Sequence, residues 1–236
     1  MRYQFVDCRW TLGTPGAGRE LYLDGHIPGA SFLDVDFDLS APPGPRGRHP
    51  LPEPDDFAAA ASRAGIGDGI FVVAYGTTGG AERLWWLLRH FGHDDCAVID
   101  LESWRGPVAT GEEEVEPAEF QPRRRDDDAI EAEELAARLH DPDLLVVDAR
   151  TPERFRGEPN EIDRVPGRIP GAKNAPFTIP LPQGVLAAPE IAVYCGSGVT
   201  ACVDLLELAL AGRADAKLYP GSWSEWEQLD LPVERG

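Results

Sequence analysis

The residues best placed to do chemistry lie in one stretch, Ile191-Ala192-Val193-Tyr194-Cys195-Gly196-Ser197-Gly198-Val199-Thr200-Ala201. An apolar run of strand character ends at Cys195, a glycine-punctuated turn follows, and an almost wholly apolar helix continues to Ala211. That order puts a thiol at the carboxyl end of a strand, inside a loop whose backbone N–H groups can turn inward. The positive end of a helix stands beside it. Each of these effects favours a thiolate over a thiol, and the thiolate is the nucleophilic form. Gly196 and Gly198 permit a tighter loop than side-chain-bearing residues would. A buried structural cysteine could occupy the same strand end, since free thiols are among the most buried groups.

Such a loop needs a frame, and the frame is written twice. Val6-Asp7-Cys8-Arg9 recurs as Val147-Asp148-Ala149-Arg150, and Gly25-His26-Ile27-Pro28-Gly29-Ala30 as Gly167-Arg168-Ile169-Pro170-Gly171-Ala172. Tyr75 answers Tyr194, and Ser103-Trp104 answers Ser222-Trp223. Four landmarks in the same order identify a tandem duplication. The second copy is shorter between its G-x-I-P-G-A turn and its tyrosine strand. There the first copy has Pro52 to Asp68, with a helix around Phe57–Ala61, and the second has only a Pro-rich connection from Pro176 to Pro189. One peripheral helix is therefore expected to be missing.

Strands are predicted at Phe5–Cys8, Ile70–Tyr75, Ala97–Ile99, Leu144–Asp148, Ile191–Tyr194 and Lys217–Tyr219, and helices at Ala81–Phe91, Glu131–His140 and Gly198–Ala211. Strands alternating with helices specify an α/β protein with mainly parallel sheets, in which ligands bind beyond the carboxyl ends of the strands. The boundaries read as a first domain over 1–108, a charged linker over 109–128 containing Glu112-Glu113-Glu114 and Arg123-Arg124-Arg125, and a second domain over 129–236. A block of that composition is expected to be solvated.

Composition narrows the classes. The 236 residues carry 41 Asp and Glu against 22 Lys and Arg, a net charge of −19. That argues against nucleic-acid binding, which draws its affinity from cationic side chains, and against anionic membrane surfaces. No apolar run approaches the ~18 residues of a membrane span, and Asp7 interrupts any N-terminal signal-like stretch. The sequence reads as a soluble cytoplasmic protein, expected to be a monomer. Its four cysteines form no C-x-x-C pair, so neither a disulfide framework nor a metal site is expected. Cys8, Cys96 and Cys202 read as core, as do Trp85, Trp86, Trp223 and Trp226.

The segment Cys195-Gly196-Ser197-Gly198-Val199-Thr200-Ala201 resembles the active-site loop of the tandem rhodanese-type sulfurtransferases, particularly the mercaptopyruvate branch. His26-Ile27-Pro28-Gly29-Ala30, Trp85-Trp86 with Phe91-Gly92-His93, Arg154-Phe155-Arg156-Gly157 and Gly221-Ser222-Trp223-Ser224-Glu225-Trp226 extend the resemblance over essentially the whole chain. It implies two tandem rhodanese-like domains, the first non-catalytic because Gly76 stands where Cys195 would repeat. The implied activity is a sulfurtransferase of the EC 2.8.1 type. Cys195 takes sulfur from a small anionic donor, 3-mercaptopyruvate or thiosulfate, as a covalent persulfide, and passes it to a thiol, cyanide or thioredoxin-like acceptor with no cofactor. The loop N–H groups of Gly196, Gly198, Val199 and Thr200 would hold the anionic sulfur. Ser197 would assist the leaving enolate with His26 behind it, and no acidic partner for His26 can be assigned.

Gly196 and Ser197 replace the basic residues typical of the thiosulfate branch, so mercaptopyruvate is the expected donor, with Arg154 and Arg164 grasping its carboxylate and ketone. The spacing of Arg164 from Arg154 is one residue longer than the family pattern. The global charge does not oppose an anionic donor: at ~20 Å in water a unit charge contributes about 0.2 kcal/mol, and screening removes most of it. A Cys-x5-Arg phosphatase is disfavoured because Ala201 stands at the arginine position. A non-enzymatic persulfide carrier or regulatory module is the alternative, kept open by the shortened second copy and by Glu153, where the family has glycine.

Overall fold

The computed structural model describes residues 2–236. The chain divides into two units, the first comprising the stretch up to Ala41 with Leu51–Arg125, the second Pro42–Pro50 with Asp126–Gly236.

The first unit runs β1 (Arg2–Cys8), α1 (Ala17–Asp24), β2 (Ser31–Phe32), α2 (Pro54–Arg63), β3 (Ile70–Gly76), α3 (Gly80–His90) and β4 (Cys96–Ile99). The second runs α4 (Ala132–Ala137), β5 (Leu144–Asp148), α5 (Pro152–Phe155), β6 (Lys173–Asn174), α6 (Gln183–Leu186), β7 (Glu190–Tyr194), α7 (Ala201–Leu210), β8 (Lys217–Leu218) and α8 (Ser222–Trp226). Each unit holds a four-stranded sheet, ordered β2-β1-β3-β4 and β6-β5-β7-β8, with every pairing parallel. Parallel neighbours require crossovers, and the helices supply them. Two four-stranded parallel sheets flanked by helices are the α/β architecture the alternation predicts.

The predicted strands and long helices are present with ends moved by a few residues. The two-residue strands β2 and β6 and the short helix α8 carry too few residues to show a period. Where α2 spans ten residues, its second-unit counterpart α6 spans four, so the peripheral helix shrinks to a single turn. Pro54 opens α2 with Asp55 and Asp56 behind it, a start that suits both the missing proline N–H and the helix dipole.

The region over 109–125 is not a free linker. Its backbone is stitched to the first unit: Ala109 and His26 exchange hydrogen bonds of 3.0 and 2.9 Å, Gly111 N donates to Leu23 O, Ala118 N to Ser62 O, and Arg123 N to Phe91 O. Phe120 is buried, edge-on to Phe57 at 5.5 Å. The charged side chains reach solvent while the backbone docks, so the composition concealed an ordered strap. The boundary shifts accordingly from 108 to 125, and residues 42–50 transfer to the second unit.

Both units are built on the same buried device, which explains the sequence repeat. At the end of β5, Arg150 lays its Nε and Nη2 on Asp148 at 2.7–3.1 Å and donates from Nη2 to Gly167 O at 2.8 Å. Tyr194 OH donates to Asp148 Oδ2 at 2.5 Å and accepts from Ile169 N. At the end of β1, Arg9 makes the same bidentate contact with Asp7 and reaches Gly25 O at 2.5 Å, while Tyr75 OH accepts from Ile27 N. The Asp-x-Arg, G-x-I-P-G-A and tyrosine landmarks are thus the parts of one hydrogen-bonded network. Asp148 and Arg150 are both essentially solvent-free. Tyr194 of this network belongs to the buried apolar cluster that also holds Ile130, Leu135, Val146, Ile169, Tyr219, Trp223 and Trp226. Each tryptophan hides on the order of 200 Å², worth roughly 5 kcal/mol of transfer free energy.

Removing one member of such a pair strands the other in the core. Arg150→Met is expected to lower stability by about 3–5 kcal/mol in urea unfolding, and adding Asp148→Asn to recover part of that loss.

Candidate functional site

β7 delivers Cys195 at its carboxyl end, as the first residue past the strand. The loop from 195 to 200 then closes onto α7 with Gly198 at φ +80, where a Cβ would stand 2.4 Å from Pro220 O. Only glycine fits. That turn brings Gly198 N within 3.2 Å of Cys195 Sγ, so a backbone N–H donates to the sulfur. Cys202 Sγ, 3.4 Å from Gly198 O, fastens the loop from the helix side, and its complete burial agrees with a core role. Burial pushes the Cys8 thiol well up and the Cys96 thiol up to about 12, so neither is poised to ionise.

The outer peptides of the loop are met by α8. Trp223 N donates to Cys195 O at 3.0 Å, Ser224 N to Gly196 O at 2.9 Å, and Cys195 N donates to Ser222 Oγ at 3.1 Å. Ser222 takes φ +51 to do this, a left-handed conformation costing on the order of 1–2 kcal/mol for a non-glycine residue. Trp223 lies 4.7 Å beneath the Arg150 guanidinium, which ties the thiol loop to the buried network.

Ser197 is buried, and its Oγ lies 2.7 Å from Nδ1 of His49. This corrects the expectation for His26. The His26 ring stacks on Tyr22 at 4.1 Å, with Nδ1 2.7 Å from Tyr22 O and Nε2 3.4 Å from Glu113, so both nitrogens are engaged within the first unit. His49 arrives on the 42–50 segment, where Gly44 and Gly47 exchange two 3.0 Å backbone bonds. Gly47, at φ +102, approaches α8 so closely that a Cβ would stand 2.7 Å from Ser224 Oγ. Arg48 N then donates to that same hydroxyl at 3.0 Å.

Two guanidiniums converge on the residue after the cysteine. The position a Cβ on Gly196 would occupy lies 2.7 Å from Arg154 Nη2 and 2.9 Å from Arg48 Nη2. Arg154, one of the expected arginines, is locked to Asp163 by Nε at 2.8 Å and Nη2 at 2.5 Å. Burial alone would raise the Asp163 pKa, but Arg154, with Arg150 beside it, holds the carboxyl below its usual range. Arg164 is exposed, and the second guanidinium at Gly196 belongs to Arg48. Val199 is buried and Thr200 half-buried where α7 begins.

In the first unit the strand register pairs Asp7 with Tyr75 and Cys8 with Gly76, as Asp148 pairs with Tyr194 one residue before Cys195. Gly76 therefore occupies the position equivalent to Cys195. Among the described residues, no group of three His, Cys, Asp or Glu side chains could hold a metal ion, and no helix is long and apolar enough to cross a membrane.

A model of the rhodanese-like domain matches residues 131–229. A Pseudomonas aeruginosa protein named "Probable 3-mercaptopyruvate sulfurtransferase" is 41% identical, over 94% of this chain and 88% of its own. The chain belongs to the rhodanese-type sulfurtransferases. The human 3-mercaptopyruvate sulfurtransferase is 36% identical, over 98% of this chain and 87% of its own. The crystal structure of SseA from Escherichia coli, a 3-mercaptopyruvate sulfotransferase, superposes with a TM-score of 0.79 at 32% identity, over 94% of this chain and 93% of that one. As a rhodanese-type sulfurtransferase this chain is an enzyme, and each of its two sheets is a rhodanese unit.

Sequence reasoning missed Arg48 and His49. The signal was Gly44-Pro45-Arg46-Gly47-Arg48-His49-Pro50, a Gly/Pro turn loaded with basic groups, which has no counterpart in the second copy to mark it.

The helix that follows the loop, α7, carries a buried acid that makes the stability of the fold depend on pH. Asp204 on α7 is 1% exposed, and its Oδ2 has no hydrogen-bond partner. Burial, with Glu207 and Asp148 nearby, pushes its pKa up to about 8. Unfolded, it would ionise near ~4, so folding takes up a proton, and stability is lost as pH rises from about 4 through about 8. Asp204→Asn is expected to be more stable than the parent by a margin that grows between pH 5 and pH 8, roughly 5 °C in Tm by thermal unfolding.

Proposed function

We propose that the enzyme moves sulfur from 3-mercaptopyruvate through a Cys195 persulfide to a thiol, cyanide or thioredoxin-like acceptor. The Cys195 thiolate attacks the donor sulfur, and the carbon–sulfur bond breaks with its electron pair passing to the carbon. The resulting enolate takes a proton and leaves as pyruvate. The acceptor then attacks the outer sulfur of the persulfide, the sulfur–sulfur bond breaks, and the Cys195 thiolate returns. No metal or organic cofactor enters either step. The observation that carries this reading is the Gly198 N–H aimed at Cys195 Sγ, the kind of fixed donor that stabilises charge gathering on sulfur.

The Ser197–His49 pair supports the proton step. When His49 is an imidazolium, its Nδ1–H donates to Ser197 Oγ; the hydroxyl proton passes to the enolate, the Nδ1 proton replaces it on Ser197, and His49 is left as a neutral imidazole to be reprotonated from water. Thiosulfate releases sulfite, which needs no such proton. Mercaptopyruvate is therefore favoured, in agreement with the absence of basic residues at positions 196 and 197.

Incubation with mercaptopyruvate is expected to add the mass of one sulfur atom to the intact protein, and Cys195→Ser to abolish the adduct. No adduct with mercaptopyruvate or thiosulfate would overturn the proposal and return the chain to a regulatory role. His49→Ala is expected to lower kcat with mercaptopyruvate by about 10²-fold while changing thiosulfate turnover far less. Equal losses with both donors would exclude a proton-delivery role.

A further inference from the structure

We infer that Ser222 is a positioning residue for sulfur transfer: its hydroxyl fixes the peptide of Cys195 and thereby the place of the thiol against the loop donors. This rests on the reading of Cys195 as the sulfur-accepting residue. The first observation is a strained backbone. Among the described residues of the second unit, Ser222 alone carries a side chain at positive φ, +51. A left-handed serine is unfavourable, and such residues persist where the surroundings hold them and make use of them. Glycine takes this conformation freely, so the reason for a serine lies in its hydroxyl. Ser222 is wholly buried, and its Oγ accepts from Cys195 N at 3.1 Å and donates to Tyr219 O at 2.9 Å.

The bond to Cys195 is the first of three made in step. Ser222 Oγ takes Cys195 N, Trp223 N donates to Cys195 O, and Ser224 N donates to Gly196 O. Three consecutive peptides are thereby gripped by three consecutive residues of α8. The peptides are trans, so each C=O and N–H point in opposite directions. With both carbonyls turned toward α8, the N–H groups of Gly196 and Ser197 face away from it. Ser222 closes this grip at Cys195 itself, where a buried N–H left without an acceptor would be costly.

The first unit supplies an internal comparison. Ser103 is the counterpart of Ser222 in the sequence repeat and makes the same local bond, Oγ to Asp100 O at 2.6 Å. There the likeness stops. Ser103 is exposed, its φ is not positive, and Trp104 N closes its own turn on Leu101 O at 3.0 Å where Trp223 N reaches Cys195 O. Strain at the serine and a bond to the strand end occur together, in the unit that has the cysteine. A serine kept for the fold alone would show them in both units.

Two substitutions separate the hydroxyl from the backbone shape. Ser222→Gly removes the hydroxyl and the strain together, and Ser222→Ala removes the hydroxyl alone. Both are expected to lower kcat with mercaptopyruvate by about tenfold while KM stays within about twofold of the parent, although Ser222→Gly melts above Ser222→Ala. The fraction of molecules that takes up sulfur, counted by intact mass, is expected to match the parent, which places the loss in the rate per site. Ser103→Gly is expected to keep kcat within about twofold of the parent. Should Ser222→Ala fail to fold, the glycine variant carries the test.

A Ser222→Gly protein with the kcat of the parent, a loss that only tracks the fraction able to take up sulfur, or an equal loss in Ser103→Gly would overturn the inference. A parent that forms no sulfur adduct with mercaptopyruvate or thiosulfate would instead refute the sulfur-transfer reading. The rate of Cys195 alkylation by iodoacetamide then reads the positioning by itself. A drop of about tenfold in Ser222→Gly leaves it standing, and an unchanged rate overturns it.

Discussion

Everything at the active loop depends on one buried ion pair. Asp148 and Arg150 sit at the end of β5 without access to water, an arrangement that desolvation makes expensive unless nearly every donor and acceptor is used. Here they are used: the carboxylate takes Arg150 and Tyr194, and the guanidinium also takes Gly167 O and Asp163. The same guanidinium lies over Trp223, whose backbone N–H holds Cys195 O. A chain of contacts therefore runs from strand end to tryptophan to Cys195. It orients the thiol without any of its members needing to touch substrate.

The first unit keeps that frame and has no cysteine at the position of Cys195. Asp7, Arg9, Tyr75 and the Gly25–Ala30 turn reproduce the network almost bond for bond, yet Gly76 stands at that position. A Cβ on Gly80 would stand 2.1 Å from Cys8 O, so the backbone that opens α3 lies directly against the end of β1. Two copies of one fold thus differ in a few loop residues while sharing the frame that holds them, and a site's chemistry lies in such residues rather than in the fold.

What could be read from the sequence was whatever repeats or alternates. The duplication was visible because its landmarks belong to a network that cannot lose a member cheaply. Cys195 was visible because strand, glycine turn and apolar helix adjoin it in sequence. Strands β2 and β6, two residues each, have no periodicity to detect. The strap over 109–125 looked solvated because its charges outnumber Phe120, although its backbone bonds decide its place. The errors at the site share one origin. His26 and Arg164 belong to motifs adjacent to the repeat landmarks, whereas His49 and Arg48 reach Ser197 and Gly196 from well over a hundred residues away. Folding alone creates that proximity. Asp163, one residue before Arg164, is the side chain that turns inward, and a shift of one residue in a loop reverses which group faces the core.

Residues 42–50 leave the first half of the chain to become part of the second unit, and they carry both His49 and Arg48. The duplication therefore no longer consists of two interchangeable modules. A gene fragment encoding only the second half would specify Cys195 and its loop without the histidine on Ser197. The segment that places His49 beside Ser197 and Arg48 beside Gly196 is written into the first half of the chain, so neither contact can form from the second half alone.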